Sequence, residues 1–267
     1  MRVVRNIIPM TVAIIFLLPI LWMLVVSIKY EGMKVTNVLD WFAPPYTFDN
    51  YAKALTETPI LRWMANSFIV ATVSTFLTVL FTSLAAFALS RMNFRYKNLF
   101  YIFFLAGLMV SPETTIIPLY QVVKGLHMLD SYAGLIIPTV AAPIGVIILK
   151  SFFDSIPREL IESAQMDGCG WFRIYAQIVM PLSKPALVAV AILTFIASWN
   201  NFLWPFLSTT TESLFTLPMG IPTLLKAYSE DYVTPMTVNS ISSIPVIIVF
   251  LLFEKQIVKG ISFTGIK

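Results

Sequence analysis

The residues able to do chemistry in this sequence are few and widely separated. There is one histidine, His127, and one cysteine, Cys169. A multi-histidine metal site, a thiolate cluster and an internal disulfide are therefore excluded. Glu113 is the single charge in a long apolar run and stands next to Pro112. An acid inside a membrane-embedded helix costs about 2.5 kcal/mol or more and usually faces a cavity or a partner. Two readings are open for it: a pathway or subunit-interface residue, or a carboxylate solvated near the outer surface beside a bend at Pro112. Trp199, Asn200 and Asn201 form a polar-aromatic cluster in another apolar run, where amides either bond between helices or line water. No apolar run carries clustered His, Asp or Glu, so no catalytic residue, metal site or resident cofactor is assigned. A Gly-rich Gly-Lys-Ser/Thr phosphate loop is also missing, so ATP chemistry cannot belong to this chain.

The elements that must position these residues follow from composition. Of the 267 residues, 58% are apolar and 12% charged, against roughly 25% charged in an ordinary soluble domain. The solvent for much of the chain is therefore lipid. A membrane helix needs about 20 mostly apolar residues, and six stretches qualify, with spans predicted at 6–28, 64–90, 98–121, 131–150, 185–207 and 235–254. Backbone groups in lipid must be satisfied within the segment, so these runs read as helices. The chain is thus expected to be an all-α membrane protein with six transmembrane helices in one domain, 1–267. The first run follows Arg2 and Arg5 but is too long for a signal peptide and lacks a small-residue cleavage site. Pro118, Pro138, Pro143, Pro205 and Pro245 fall within spans and read either as helix breaks around a pathway or, more commonly, as kinks for packing. Trp41, Tyr46 and Trp63 read as interfacial anchors, and His127 as a loop residue.

Loop charge orients the spans. Six crossings put both termini on one side, and that side holds 12 of the 18 Lys and Arg residues, including Arg91, Arg95, Lys97, Lys150, Arg158, Arg173 and Lys184. Both termini are therefore expected in the cytoplasm. The segment between the fourth and fifth spans, 155–181, then lies in the cytoplasm. Pro157 suits the first turn of a helix, and Leu160, Ile161 and Ala164 follow on one face. Gly168 and Gly170 break that helix. A second helix is predicted over 171–179, with the stripe Trp171, Ile174, Tyr175 and Ile178, ended by Pro181. The product is a helix–turn–helix hairpin. Periodicity alone fits equally a connector lying on the bilayer surface. DNA binding is disfavoured by the few basic residues and the lack of a supporting domain.

The run Glu162-Ser-Ala-Gln-Met-Asp-Gly168, continued to Ile178 and Pro181, resembles the signature loop of ABC importer permeases. Glu162, Ala164, Gly168, Ile178 and Pro181 match that pattern; Ser163 and Met180 replace an alanine and a leucine. Segments 49–51, 117–120, 134–138, 198–202 and 257–265 resemble the carbohydrate, maltose-type branch, and the short N-terminus and six spans resemble its smaller permease subunit. The resemblance implies a type I ABC importer permease fold with a coupling hairpin between the fourth and fifth helices, in a bacterial or archaeal inner membrane. It implies a second permease subunit as heterodimeric partner, two ATPase subunits that hold ATP and Mg, an extracytoplasmic solute-binding protein, and a sugar-type solute. The residues it assigns to ATPase coupling are Glu162, Ala164, Asp167, Gly168, Trp171, Arg173, Ile178 and Pro181. Glu113, Trp199, Asn200 and Asn201 are the possible pathway residues, Glu113 as an acid within a span and the others because amides and aromatic faces read sugars. A secondary transporter would ordinarily carry about 10 to 12 spans, a channel would show a filter-like sequence or charged ring, and neither pattern is present. No nucleic-acid partner is expected.

Overall fold

The computed structural model describes the backbone at residues 2–30, 37, 40, 43–227 and 232–262, and the side chains at 10–30, 37, 40, 43–224 and 232–251. Trp41 and the side chains of 257–265 lie outside the described residues. Every extended element among the described residues is a helix, as the need to satisfy backbone groups in lipid demands. In chain order they are α1 (Arg2–Ser27), α2 (Asp49–Glu57), α3 (Ile60–Arg91), α4 (Lys97–Gly107), α5 (Pro112–Gly125), α6 (Tyr132–Ile136) and α7 (Pro143–Asp154). After these come α8 (Arg158–Met166), α9 (Trp171–Leu182), α10 (Lys184–Trp199), α11 (Leu203–Ser208), α12 (Leu217–Ala227) and α13 (Val233–Ser262).

Among the described residues three helices are long and apolar enough to cross a membrane alone: α1 through Met10–Ser27, the whole of α3, and α13 through Val233–Leu251. Three further pairs meet the same requirement jointly but are bent, α4 with α5 by 106°, α6 and its following turn with α7 by 45°, and α9 with α10 by 80°. The spans expected at 98–121 and 131–150 are therefore interrupted, and both interruptions have a cause in proline. Ser111 precedes Pro112 and is forced to extended backbone (φ −67°, ψ 134°), because a residue before proline is pushed out of the α region. Ala142 before Pro143 leaves the helix in the same way (φ −119°, ψ 86°). The span expected at 185–207 is also broken, since α10 stops at Trp199 and α11 resumes at Leu203.

The chain forms two compact units. One comprises Met1–Asn66 with Phe215–Ile247, and the other Ser67–Leu214 with Ile248–Lys267. In the first unit the end of α1 is tied by polar bonds: Asn50 Nδ2 donates to the Ser27 and Lys29 carbonyls (2.9 and 2.6 Å), and Thr237 Oγ1 to the Ser27 carbonyl (3.0 Å). Trp63 in this unit is buried rather than interfacial. Its ring lies where a Cβ on Gly220 would be 2.2 Å away, so only glycine at 220 leaves room for the indole. The second unit carries an apolar core built from Ala86, Phe87 and Leu89 of α3, Val146, Leu149 and Phe153 of α7, and Ile161, Ala164, Ile174, Tyr175 and Val179 of the hairpin helices.

Candidate functional site

The segment read as a hairpin holds two helices joined by a glycine turn. α8 begins at Arg158 with Pro157 in the cap position, and buries Ile161 and Ala164. Leu160, expected on the same face, is exposed. The turn after α8 has a defined hydrogen-bond pattern. Gly168 N donates to the Gln165 carbonyl (3.0 Å) and Cys169 N to the Ala164 carbonyl (2.9 Å), which is the Schellman arrangement that satisfies orphan carbonyls at a helix end. It requires a left-handed residue at 168, and Gly168 has φ +78°. Gly170 does a different job from the one expected: its backbone is extended (φ −72°, ψ 160°) and it caps the start of α9.

α9 buries Ile174 and Tyr175, half-buries Ile178 and leaves Trp171 exposed. Its middle turn, Tyr175–Val179, is a π turn. Pro181 does not end the helix as expected, which runs to Leu182 before the 80° bend into α10. The hairpin is held against α3 by Tyr175, whose hydroxyl lies 2.8 Å from Ser83 Oγ in a buried bond. The Tyr175 ring packs on Phe87 at 5.3 Å, and Trp171 meets the same ring edge-on at 6.2 Å.

The outward surface of the hairpin mixes charge and apolar area. Glu162, Asp167, Gly168 and Arg173 are exposed, and Arg173 Nε bonds to Gln177 Oε1 at 3.0 Å. Sequence reasoning missed Met166 and Phe172, which are 89% and 77% exposed. The available signal was their position off the Ile161–Ala164 and Ile174–Tyr175 faces. Between the hairpin and the end of α3 lies a cleft of about 360 Å³, lined by Arg91, Lys97, Arg158, Glu162 and Trp171 among others.

A second cavity, of about 570 Å³, has Glu113 and Asn201 on its wall with Thr115, Thr139 and Trp204. It sits where helices are interrupted, since Gly107, Pro112, Pro143 and Asn201 on its wall mark the breaks described above. Interrupted helices are tolerated at membrane depth where they line a cavity. Trp204 is fixed by its Nε1, which donates to the Gly134 carbonyl at 2.9 Å. Glu113 is exposed in the first turn of α5 and accepts from Ser111 Oγ. The other two candidates behave differently: Trp199 is buried against Phe195 (5.8 Å, stacked), and exposed Asn200 caps the end of α10. His127 is an exposed loop residue with left-handed backbone.

One polar anchor went unread in the sequence. Asp130 has φ +56°, and its carboxylate accepts from the backbone N–H groups of Thr210 and Thr211, each at 3.0 Å, and from the Thr211 hydroxyl. The Thr211 hydroxyl above all, with these N–H groups, holds the Asp130 carboxyl below the usual aspartate range.

Residues 78–263 match the family described as the binding-protein-dependent transport system inner membrane component. The chain belongs to that family. It is 35% identical to the arabinooligosaccharides transport system permease protein of Bacillus subtilis over 269 residues, covering all of this chain and 96% of that one. It is 36% identical to the trehalose/maltose transport system permease protein of Thermococcus litoralis, covering 96% of this chain and 93% of that one. The sulfoquinovosyl glycerol transport system permease protein of Agrobacterium fabrum is 33% identical, over 94% of this chain and 89% of that one. In fold, the permease is similar to a chain in a crystal structure of a bacterial ABC transporter involved in the import of the acidic polysaccharide alginate, with a TM-score of 0.85, 22% identity and 95% of each chain covered. The permease has the type I ABC importer permease fold and is an ABC importer permease of the carbohydrate branch, as its resemblance implied.

Proposed function

We propose that this permease is the smaller membrane subunit of an ATP-driven, binding-protein-dependent importer of an oligosaccharide or sugar derivative. In this reading the six crossings are α1, α3, α4 with α5, α6 with α7, α10 with α11, and α13, with α8 and α9 outside the membrane and both termini in the cytoplasm. A second permease subunit completes the membrane pathway, two ATPase subunits bind ATP and Mg, and an external binding protein delivers the solute. The observation that carries the reading is a hairpin rooted in the membrane helices by Ile161, Ala164, Ile174 and Tyr175 while exposing Met166 and Phe172. Large apolar side chains at the tip of a rigid projection suit insertion into a groove on a partner, with Glu162 and Arg173 setting register by charge.

In this mechanism nucleotide binding closes the ATPase pair, the hairpin follows the ATPase surface, and the helices carrying it rock between two arrangements. The cavity bearing Glu113 and Asn201 supports a role on the solute path, where a carboxylate, an amide and hydroxyls can exchange hydrogen bonds with sugar hydroxyls. The saccharide class is supported by the transport systems named above. The test is uptake of labelled oligosaccharides into liposomes holding the whole importer. Uptake that needs ATP and the binding protein is expected. Uptake that runs equally well without ATP would assign the chain to a passive or ion-driven carrier.

A further inference from the structure

The importer reading says that the hairpin moves but leaves open which membrane helix receives that motion. We propose that α3 is the helix driven directly, with Arg91 and Tyr175 as the positioning residues that bolt it to the two ends of the hairpin. This inference rests on the coupling role proposed above. Ser83, Phe87 and Arg91 are spaced four residues apart and so lie along one face of α3. Each of the three makes contact at the base of the hairpin.

At the entry end, Arg91 Nη2 donates to the carbonyls of Phe153 and of Ile156, the latter at 2.6 Å. These carbonyls lie at the C-terminus of α7 and in the short link to α8. A guanidinium there satisfies orphan acceptors and complements the negative end of the helix dipole. Beside it, Ser90 Oγ donates to Asp154 Oδ1 (2.6 Å), Lys150 Nζ pairs with Asp154 Oδ2 (2.7 Å), and Lys97 Nζ donates to the Ser90 carbonyl (3.2 Å). At the exit end, the Tyr175 hydroxyl holds Ser83 and its ring packs on Phe87. Ile156, Ile161 and Ile174 are buried in the same apolar core as Phe87 and Tyr175.

A hairpin free at its root would absorb a push by pivoting. This one is fixed to a single helix at both ends through directional bonds, so a displacement at its tip passes to α3. Close packing of α7 on the same helix reinforces this, since a Cβ on Gly145 would lie 3.1 Å from Thr82 Cγ2.

The test needs no knowledge of the solute. Spin labels are placed at Glu159 on α8 and Phe76 on α3, both exposed, with Cys169 changed to Ser. The importer is purified through this subunit, and the label distance is measured without nucleotide and after trapping with ATP and vanadate. In the otherwise unaltered protein the distance stays the same in both states. With Arg91→Ala it shifts or broadens on trapping, and Arg91→Lys, which offers a single point charge instead of a fork, falls between. Tyr175→Phe removes only a hydroxyl and gives the same decoupling at the exit end, which serves if Arg91→Ala does not assemble. A purely stabilising role would lower yield without making the distance depend on nucleotide. A distance that changes on trapping with both bolts intact, or that stays fixed in Arg91→Ala and Tyr175→Phe, would overturn the proposal while leaving ATPase coupling standing. Failure of any ATPase to trap nucleotide in the complex would overturn the coupling reading and this inference together.

Discussion

Replacing Gly168 by Asp separates docking from folding better than any other change in the hairpin. Gly168 sits at φ +78°, and a Cβ there would meet nothing within 4 Å. The substitution therefore creates no clash within the subunit, and its intramolecular cost is the left-handed backbone alone, roughly 1–2 kcal/mol. The Schellman bonds from Gly168 and Cys169 use backbone atoms only and survive. Membrane insertion and subunit yield should stay near wild type. If a partner approaches this turn closely, the added carboxylate is buried without a counter-charge, at a further cost of about 1–3 kcal/mol or more. The strain is the same with or without the ATPase docked, so the desolvation cost alone predicts a loss of roughly fivefold to 150-fold in ATP-driven uptake. Gly168→Ala adds the strain without the charge and should therefore stay near wild type in uptake. Gly170→Ala is the control, because its backbone is already extended and its Cβ also meets nothing, so it should behave as wild type. Uptake is measured in liposomes, with ATPase content of the complex assayed in parallel. Wild-type uptake by Gly168→Asp, or damage by Gly170→Ala equal to that of Gly168→Asp, would refute the reasoning.

Other residues give independent checks. Gly220→Ala places a methyl inside the Trp63 ring and should destabilise the subunit by about 1–3 kcal/mol; thermal unfolding should show the loss, and Trp63→Leu in the same chain should restore part of it. Asp130 has a folded pKa below its unfolded one, so its contribution is fully present above the ordinary aspartate value of about 3.9 and is lost as pH falls through the lowered folded value. Thermal unfolding of the wild type should therefore weaken toward acid pH more than that of Asp130→Asn, and parallel curves would count against the anchor. Glu113→Gln keeps the shape of the cavity wall but removes its charge, and should change the uptake KM while leaving ATPase co-purification intact. An unchanged KM would take Glu113 off the solute path.

The two short helices and the glycine turn between them were legible in the sequence because each feature is local. Ile161 and Ala164 share a helical face, and glycine at 168 announces a left-handed turn. Met166 and Phe172 went unread although they stand off the two buried faces, since an apolar residue reads as core until the fold shows it pointing outward. Pro112 and Pro143 marked where spans break, but the 106° and 45° bends at those points are set by packing and have no local signal. Trp63 looked like an interfacial anchor because the glycine that makes room for it, Gly220, is distant in sequence. Arg91 was read only as a loop charge. Its acceptors are backbone carbonyls 62 and 65 residues away, and a carbonyl carries no side-chain signature. The candidate pathway divided for a similar reason: Asn201 reaches the cavity, while its neighbour Asn200 caps α10 and Trp199 turns into the packing against Phe195.

The central claim is that the hairpin is the surface through which an ATPase drives this subunit. The most direct measurement is affinity purification through this chain from its host membrane, comparing wild type with Met166→Arg combined with Phe172→Glu. Both side chains are exposed, so the double variant leaves the core of the subunit intact. The account predicts that the wild type brings a second permease subunit and an ATPase, and that the variant keeps the permease and loses the ATPase. An ATPase retained in full by the variant, or absent from the wild type, would contradict it.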